Sequence, residues 1–504
     1  MLSATKARSG LTEKLINRLE ALFTDNRLVL ISSFIIGLCA HAFMLTNKIP
    51  YGDDLVAMFD KGATTVSGRY GLELMRLILP DVSMPWIYGI LTLLLLSIAS
   101  CLIVRLFDVR SPVLQILLAG VFVSFPAQAA TMNYMFTVVS YAIAITMTIC
   151  GVWYFAGERK LRWIVSPLLI AFSCSIYQGY FSIASSFCVI LMIKALVRGE
   201  KSAKDTFFYG LRLLAMLLVS LAVYGVAILV FSQLLNFPLL GEVINEKQGI
   251  VMRLAVAYSA YLKTIFSGYF GYVHSLASML FHLLLIAVTG IVIILRLKPQ
   301  KELGRWLLTG LCLFLFPLSC YCLYMMADNS YIHSLALYSF ASLYVLCICL
   351  LDDSGFIRFK DIAALCLALI MCGNIYYANS WYLRNELRFE EVKSLYSSMV
   401  TQVISTEGFD ENAKLAIIGK APELVYDMDA NFKFDRLLTP SLDIAATDYT
   451  QLIISQYLGF DIPFASAEEL AVLRNVPELQ DMGIYPYENS VQKIGDYIVI
   501  KFSE

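Results

Sequence analysis

Eleven stretches of this chain are apolar for long enough to cross a bilayer, and no other feature limits its fold as severely. A hydrocarbon core of about 30 Å is spanned by about 20 helical residues. Runs of that kind lie near 28–46, 86–104, 112–130, 134–156, 163–177, 179–197, 206–235, 273–295, 306–326, 331–351 and 362–380. Lipid offers the backbone no hydrogen-bond partner, so each run is expected to be a helix. Composition agrees: 59% of the residues are hydrophobic and 15% charged, whereas a soluble domain carries roughly 25% charged residues. The stretch 163–196 is long for one span and short for two, and Gln178 and Gly179 mark the expected turn within it. These features predict an α-helical polytopic membrane protein of about eleven transmembrane helices.

The formal net charge of −1 argues against a nucleic-acid partner, and it conceals a division along the chain. From Tyr382 onward there are 10 Lys/Arg against 20 Asp/Glu, so a basic, apolar body carries an acidic, polar tail. Three regions follow. Residues 1–26, with Leu11, Leu15, Ile16, Leu19, Leu22 and Phe23 at helical spacing between charges, read as an amphipathic helix on the inner membrane surface. Residues 27–380 hold the spans. Residues 381–504 begin with an amphipathic continuation of the last span (384–403), followed by β-like runs at Lys414–Ile418 and Tyr497–Lys501. Helical stretches are expected at 450–458 and Ala467–Leu473, making a small C-terminal α+β domain.

Orientation follows from the basic residues of short flanking loops. With the N-terminus cytoplasmic, twenty Lys/Arg fall in cytoplasmic segments and seven in outer loops, and eleven spans then put the C-terminal domain outside the cytoplasm. Two outer loops, 47–85 and 236–272, are far longer than a turn requires, and such loops commonly carry function.

The first long loop opens with Pro50-Tyr51-Gly52-Asp53-Asp54. Adjacent carboxylates near a membrane repel one another and lose solvation. One reading is a general base of raised pKa that takes a proton from an acceptor hydroxyl; the other is that Asp54 caps a loop helix. Next comes Ser67-Gly68-Arg69-Tyr70-Gly71, then Glu73 and Arg76. Arg69, between glycines that permit close backbone approach, could hold a phosphate bidentately or pair with Glu73 one helical turn on. In the second loop, Arg253, Tyr258, Tyr261, Lys263, Phe266, Tyr269, Phe270 and Tyr272 interleave aromatics with cations. That pattern suits lipid headgroups or sugar rings, and equally an aromatic belt.

Other candidates are set aside. All twelve cysteines lie in apolar runs without metal-ligand spacing and read as small buried hydrophobes. His41 and His282 are expected to be buried and structural; His333, near an outer span end, could contact a phosphate or simply pack. Asp427-Met428-Asp429 resembles the nucleotide-sugar motif of soluble glycosyltransferases, but sits in the region placed outside the cytoplasm. Asp352-Asp353 reads as a solvated cytoplasmic turn. The spans hold almost no charge, whereas transporters mark their pathway with intramembrane ionisable groups. Polar groups gathered on one face suggest an enzyme acting at the outer surface on a lipid-borne substrate; a flippase or transporter for a lipid-linked glycan, or a polysaccharide polymerase or ligase, are the rivals.

The Asp-Asp pair after the first span, Gly68-Arg69-Tyr70, Ser175-Ile176-Tyr177-Gln178 and the ending from Tyr485-Pro486 to Ile498-Val499-Ile500-Lys501 resemble the bacterial Gtr-type (GtrII-like) glucosyltransferases that modify O-antigen of lipopolysaccharide and convert serotype, within the GT-C superfamily. Tyr70 stands where that family often has tryptophan. The resemblance implies a GT-C-like fold in the bacterial inner membrane with a periplasmic C-terminal domain. It also implies a hexosyltransferase moving a sugar, by expectation glucose, from undecaprenyl phosphate to a lipid-linked polysaccharide at the periplasmic face. Asp53 or Asp54 would then be the base, Arg69 would lie near the phosphate, and Tyr70 and Glu73 beside it. Tyr177 and Gln178 would line the pocket, with Arg253, Lys263 and His333 as weaker candidates. Implied functional partners are a bactoprenol glucosyltransferase that charges the lipid and a small flippase that turns it over. Some relatives in the superfamily use a divalent metal; no ligand spacing here requires one.

Overall fold

The computed structural model describes residues 24–503 except 50–53, 56–57, 59–67, 81, 236–248, 264, 267–275, 323–333, 353, 411 and 420–446. The amphipathic helix expected before residue 24, Asp53, His333, parts of both long loops, Asp353 and the Asp427-Met428-Asp429 motif therefore lie outside the described residues, as does the side chain of Lys263.

The helices follow the apolar runs closely. In chain order they are α1 (Arg27–Thr46), a short loop helix α2 (Tyr70–Arg76), α3 (Pro85–Leu106), α4 (Pro112–Val123), α5 (Pro126–Met132), α6 (Val138–Ala156), α7 (Arg162–Ile176) and, after a tight turn at Gln178–Tyr180, α8 (Phe181–Arg198). There follow α9 (Ala203–Leu235), α10 (Ile250–Lys263), α11 (Leu276–Leu297), α12 (Leu303–Cys320), a 3-10 segment Ser334–Ala341, α13 (Ser342–Asp352) and α14 (Ile357–Ser405). Among the described residues nine helices are long and apolar enough to cross a membrane; the bent pair α4–α5 makes a tenth, and α7, at 15 residues, is a shorter apolar helix. All eleven expected runs are thus helical, and the chain is a polytopic α-helical membrane protein.

Two details depart from the sequence reading. The run 112–130 is not one straight helix: α4 and α5 meet at 43°. Pro126 has no N–H to donate, and its ring would crowd the preceding turn, so the helix stops and restarts with proline as its first residue. The Asp352 side chain is not solvated. It is buried and accepts the backbone N–H groups of Arg110 (2.7 Å) and Ser111 (2.9 Å), tying the α3–α4 turn to the end of α13.

That contact belongs to one end of the bundle, where the expected cytoplasmic loops meet. Arg105 reaches Asn26, Lys194 Nζ donates to the Phe107 carbonyl (2.6 Å), Gln300 to that of Val197 and Arg305 to that of Leu196. The other end carries the C-terminal region. Here α14 continues past the last apolar residues to Ser405, crossing position 380 without a break. Beyond it are β1 (Lys414–Ile418), α15 (Thr447–Leu452), α16 (Ala467–Leu473), β2 (Val491–Ile494) and β3 (Tyr497–Lys501), in the sheet order β1-β3-β2. β1 and β3 run parallel, with Lys414 opposite Tyr497, and β2 is antiparallel to β3. Alternate strand residues point to opposite faces: Leu415, Ile498 and Ile500 pack towards α14, whereas Ala416, Ile418 and Val499 pack with Leu473 of α16. Ser466 and Glu469 form a reciprocal capping box at the start of α16.

The two ends of the chain's chemistry converge at this same pole. Leu55, next to Asp54, is fully buried in the cluster formed by Val392, Tyr396 and Met399 of α14 with Ile498 and Ile500 of β3.

Candidate functional site

Asp54 is completely buried, and three groups surround its carboxylate. Lys48, six residues earlier, pairs with Oδ2; the Ser83 hydroxyl donates to the same oxygen at 3.0 Å; and Oδ1 accepts the backbone N–H of Phe136 at 3.2 Å. Of the two sequence readings, helix capping within its own segment is therefore not what this carboxylate does: its backbone partner lies between α5 and α6. Burial pushes the Asp54 carboxyl above the usual aspartate range, and the Lys48 ammonium, the Ser83 hydroxyl and the Phe136 N–H pull it down without cancelling that effect.

Arg69 reaches the same neighbourhood from the other side of the loop. Gly68 has φ +69°, a left-handed conformation suited to glycine, and turns the chain into α2. One turn on, a Cβ at Gly71 would stand 2.2 Å from Ser175 Oγ and 2.8 Å from the Ser175 carbonyl carbon, so only a glycine lets α2 lie against the end of α7. This close approach brings the two loop motifs together. The Arg69 guanidinium lies over the Tyr177 ring, 5.0 Å from its centroid. Gln178 Nε2 donates to the Tyr224 hydroxyl (2.8 Å), which in turn reaches the Gly68 carbonyl (3.4 Å). Tyr70 is buried and stacks on Phe231 of α9, centroids 4.6 Å apart and planes within 6°. A large flat ring is what this slot takes.

Arg69 does not pair with Glu73. Glu73 instead forks onto Arg76, at 2.7 and 2.9 Å, leaving the guanidinium among tyrosines 134, 141, 177 and 224 with its Nε buried and lacking a hydrogen-bond partner. A guanidinium stays charged in any such setting.

Further buried polar groups lack hydrogen-bond partners. Gln128 of α5 is 1% exposed, and neither its carbonyl oxygen nor its amide nitrogen has a hydrogen-bond partner; Asn133, 2% exposed, has an unpartnered Oδ1. The Tyr180 hydroxyl, next to Thr131 of α5, forms no hydrogen bond of normal geometry. Its ring packs edge-on against Tyr177 (5.1 Å) and Tyr141 (6.1 Å). Each unmet buried polar atom costs roughly 1–3 kcal/mol, so this concentration is expensive unless a ligand completes it. On α14, Trp381 Nε1, Asn385 Nδ2 and Arg388 Nε are likewise buried donors lacking partners, and their spacing of four and three residues puts them on one helix face.

The remaining sequence candidates fall elsewhere. Arg253 sits partly buried on α10 and is not among the partners of Asp54 or Arg69. Tyr258 and Tyr261 of that helix are packing residues, against Phe314 (5.4 Å) and Phe340 (4.7 Å). His41 bonds Tyr382 and the Val123 carbonyl; His282 bonds Tyr344 and the Ser278 carbonyl; both are buried and structural, as expected. Among the described residues no group of three His, Cys, Asp or Glu side chains could hold a metal.

Sequence reasoning missed Lys48, Ser83, Gln128, Asn133 and Tyr180. Gln128 carried a usable signal, since an amide inside an apolar run is costly without a purpose, whereas Asn133 falls in the gap between two runs.

Fold and site together define a polytopic membrane protein that buries a carboxylate at Asp54 and holds the Arg69 guanidinium among tyrosines at the end of the helix bundle that carries the C-terminal region. The chain belongs to the GtrII glucosyl transferase family: the family model described as Glucosyl transferase GtrII matches residues 42–351, more than half of its length. It is accordingly a membrane glycosyltransferase. Neither the curated proteins nor the solved structures compared with the chain match it. The family match takes in Asp54, Arg69, Gln128, Tyr177 and Gln178 and ends before α14 begins.

Proposed function

We propose that this chain is a GT-C-like transferase of the bacterial inner membrane, moving a hexose, glucose by family, from undecaprenyl phosphate to a lipid-linked surface polysaccharide such as O-antigen at the periplasmic face. One observation carries the reading. A buried carboxylate of raised pKa and a half-buried guanidinium with no acidic partner among the described residues are both approached by the stretch 134–141: the Phe136 N–H holds Asp54, and Tyr134 and Tyr141 lie within electrostatic reach of Arg69.

In this mechanism Asp54 takes the proton of the acceptor hydroxyl as that oxygen bonds to the anomeric carbon. The bond from the anomeric carbon to the phosphate oxygen breaks, and its electron pair leaves on the phosphate, whose charge Arg69 receives. A single displacement of this kind inverts the anomeric centre. Asp53 would position the acceptor, Tyr177 and Gln178 shape the wall around Arg69, and the unpartnered donors of α14 offer the acceptor glycan a path. Residues 27–380 would form the membrane domain and 381–504 the periplasmic domain, with a charging synthase and a small flippase supplying the donor.

The test is transfer by the purified chain in lipid nanodiscs, with polyprenyl-phosphate glucose as donor and lipid-linked polysaccharide as acceptor. Wild type should add one hexose per repeat. Asp54→Asn should lose about 100-fold or more in kcat, and Arg69→Lys, which keeps the charge but not the planar fork, should mainly raise the donor KM, by about 10-fold. An inactive wild type, or an Asp54→Asn protein that transfers normally, overturns the reading.

A further inference from the structure

The bent helix after α4 delivers something that the transfer chemistry alone does not require. Deprotonating an acceptor and receiving a phosphate takes one base and one cation. The segment that runs into Phe136 also carries Gln128 and Asn133, and Tyr180 adjoins it at Thr131; each of the three is almost wholly buried and has a polar atom without a hydrogen-bond partner. Their chemistry differs from that of Arg69. A carboxamide presents a donor and an acceptor side by side, which complements a hydroxyl that must both give and receive; a phosphate accepts only. The Asn133 Oδ1 and the Tyr180 hydroxyl add an acceptor and a group of either kind.

Their place in the chain is as telling. Residues 128–136 form one continuous stretch that ends at the site. Thr131 lies next to Tyr180, Tyr134 next to Arg69, and the Phe136 N–H binds Asp54. The amides thus lie on the stretch that leads directly into the residues flanking both Arg69 and Asp54, on one side of the place where the transferred ring has to sit. The 43° bend at Pro126 sets the course of α5, and Gln128 lies in its first turn, two residues beyond the proline.

We infer that Gln128, with Asn133, recognises the hydroxyls of the transferred hexose and sets the donor's sugar specificity. The inference rests on the transferase reading above, and it is tested by donor binding so that the two can fail separately. Affinities of the full-length protein in nanodiscs are measured for polyprenyl-phosphate glucose, for the corresponding donor lacking single ring hydroxyls, and for bare polyprenyl phosphate.

Wild type should bind the glucose-bearing lipid at least 10-fold more tightly than the bare lipid and lose affinity when a recognised hydroxyl is removed. Gln128→Leu should bind bare polyprenyl phosphate as wild type does, lose most of the preference for the hexose, and become indifferent to at least one missing hydroxyl. It should also unfold at a temperature no lower than wild type, since it removes an unmet polar group from a buried site; a merely structural glutamine would show the reverse. Asn133→Leu gives a second, independent variant. Overturning results are a wild type that does not distinguish glucose-bearing from bare lipid, or a Gln128→Leu protein that keeps the full preference. Binding with hexose preference but no transfer would overturn the transferase reading and leave this one standing.

Discussion

Asp54 owes its chemistry to two opposed surroundings. Full burial favours the neutral acid, while Lys48, Ser83 and the Phe136 N–H favour the carboxylate, and burial prevails. As the base proposed above, Asp54 works only when ionised, so the acid limb of the kcat–pH profile should lie above the range of an ordinary aspartate, about 3.9. Lys48→Met removes the one full positive charge at the carboxylate. The Asp54 pKa then rises further, and the acid limb should shift to higher pH; an unmoved limb would separate Lys48 from the base. Stability has the opposite sign. A carboxyl whose pKa is raised on folding binds its proton more tightly in the native state, so its contribution is complete below the unfolded pKa and lost as pH rises through the folded one. Activity and stability should therefore move in opposite directions across that window, and Asp54→Asn should flatten the stability change. The sequence exposed half of this arrangement: the Asp-Asp pair was conspicuous, but Lys48 acts across a loop and Phe136 across 82 residues, and neither has a local pattern. Arg69 shows the same limit from another side. Its spacing to Glu73 suited a helical pair, yet Glu73 found Arg76 one turn later, and what surrounds Arg69 is tyrosine from distant segments.

At the scale of elements, the spans were legible because each reports itself through about 20 consecutive apolar residues. In the tail, β1, β3 and α16 were legible from their apolar runs, whereas β2, Val-Gln-Lys-Ile, is a short edge strand with too little apolar pattern to announce itself. The bend between α4 and α5 was overlooked although Pro126 declares it, because the apolar run continues through the proline without interruption. The docking of α2 on α7 was readable only in outline. Glycines at 68 and 71 promised a close approach, but its partner, Ser175, lies about a hundred residues on. That contact has a measurable consequence. Gly71→Ala puts a methyl group into backbone that cannot yield, so α2 has to lift from α7 and carry Arg69 away from Tyr177. A cost of about 1–3 kcal/mol is expected for overpacking of this kind. It should appear as an earlier thermal unfolding together with a raised donor KM. A Gly71→Ala protein with wild-type melting and kinetics would show that α2 tolerates the displacement and that Arg69 is not held by it.

For the molecule as a whole, the decisive relation is between its two poles. At one, Asp54 and its neighbour Leu55 lie against α14 and the C-terminal sheet, so base and terminal domain share a compartment whatever that compartment is. At the other, Arg105, Arg110, Lys194 and Arg305 gather where Asp352 ties the loops. An asymmetric distribution of basic residues is what orients a polytopic chain during insertion, and the orientation proposed above has the basic pole in the cytoplasm and Asp54 outside it. The proposed donor suits the same polarity, since a lipid-phosphate sugar needs no nucleotide and fits a compartment that has none. Two exposed positions report on it. Tyr487, 76% exposed in the C-terminal region, and Arg110, whose side chain is 71% exposed at the basic pole, are replaced in turn by cysteine. Intact cells or spheroplasts are then treated with a membrane-impermeant maleimide. Tyr487→Cys should label above the wild-type background without permeabilisation, and Arg110→Cys only after it. The opposite pattern would put Asp54 beside the cytoplasmic nucleotide sugars and remove the reason for a lipid-borne donor, whereas labelling of both in intact cells would mean that the spans do not separate the two poles.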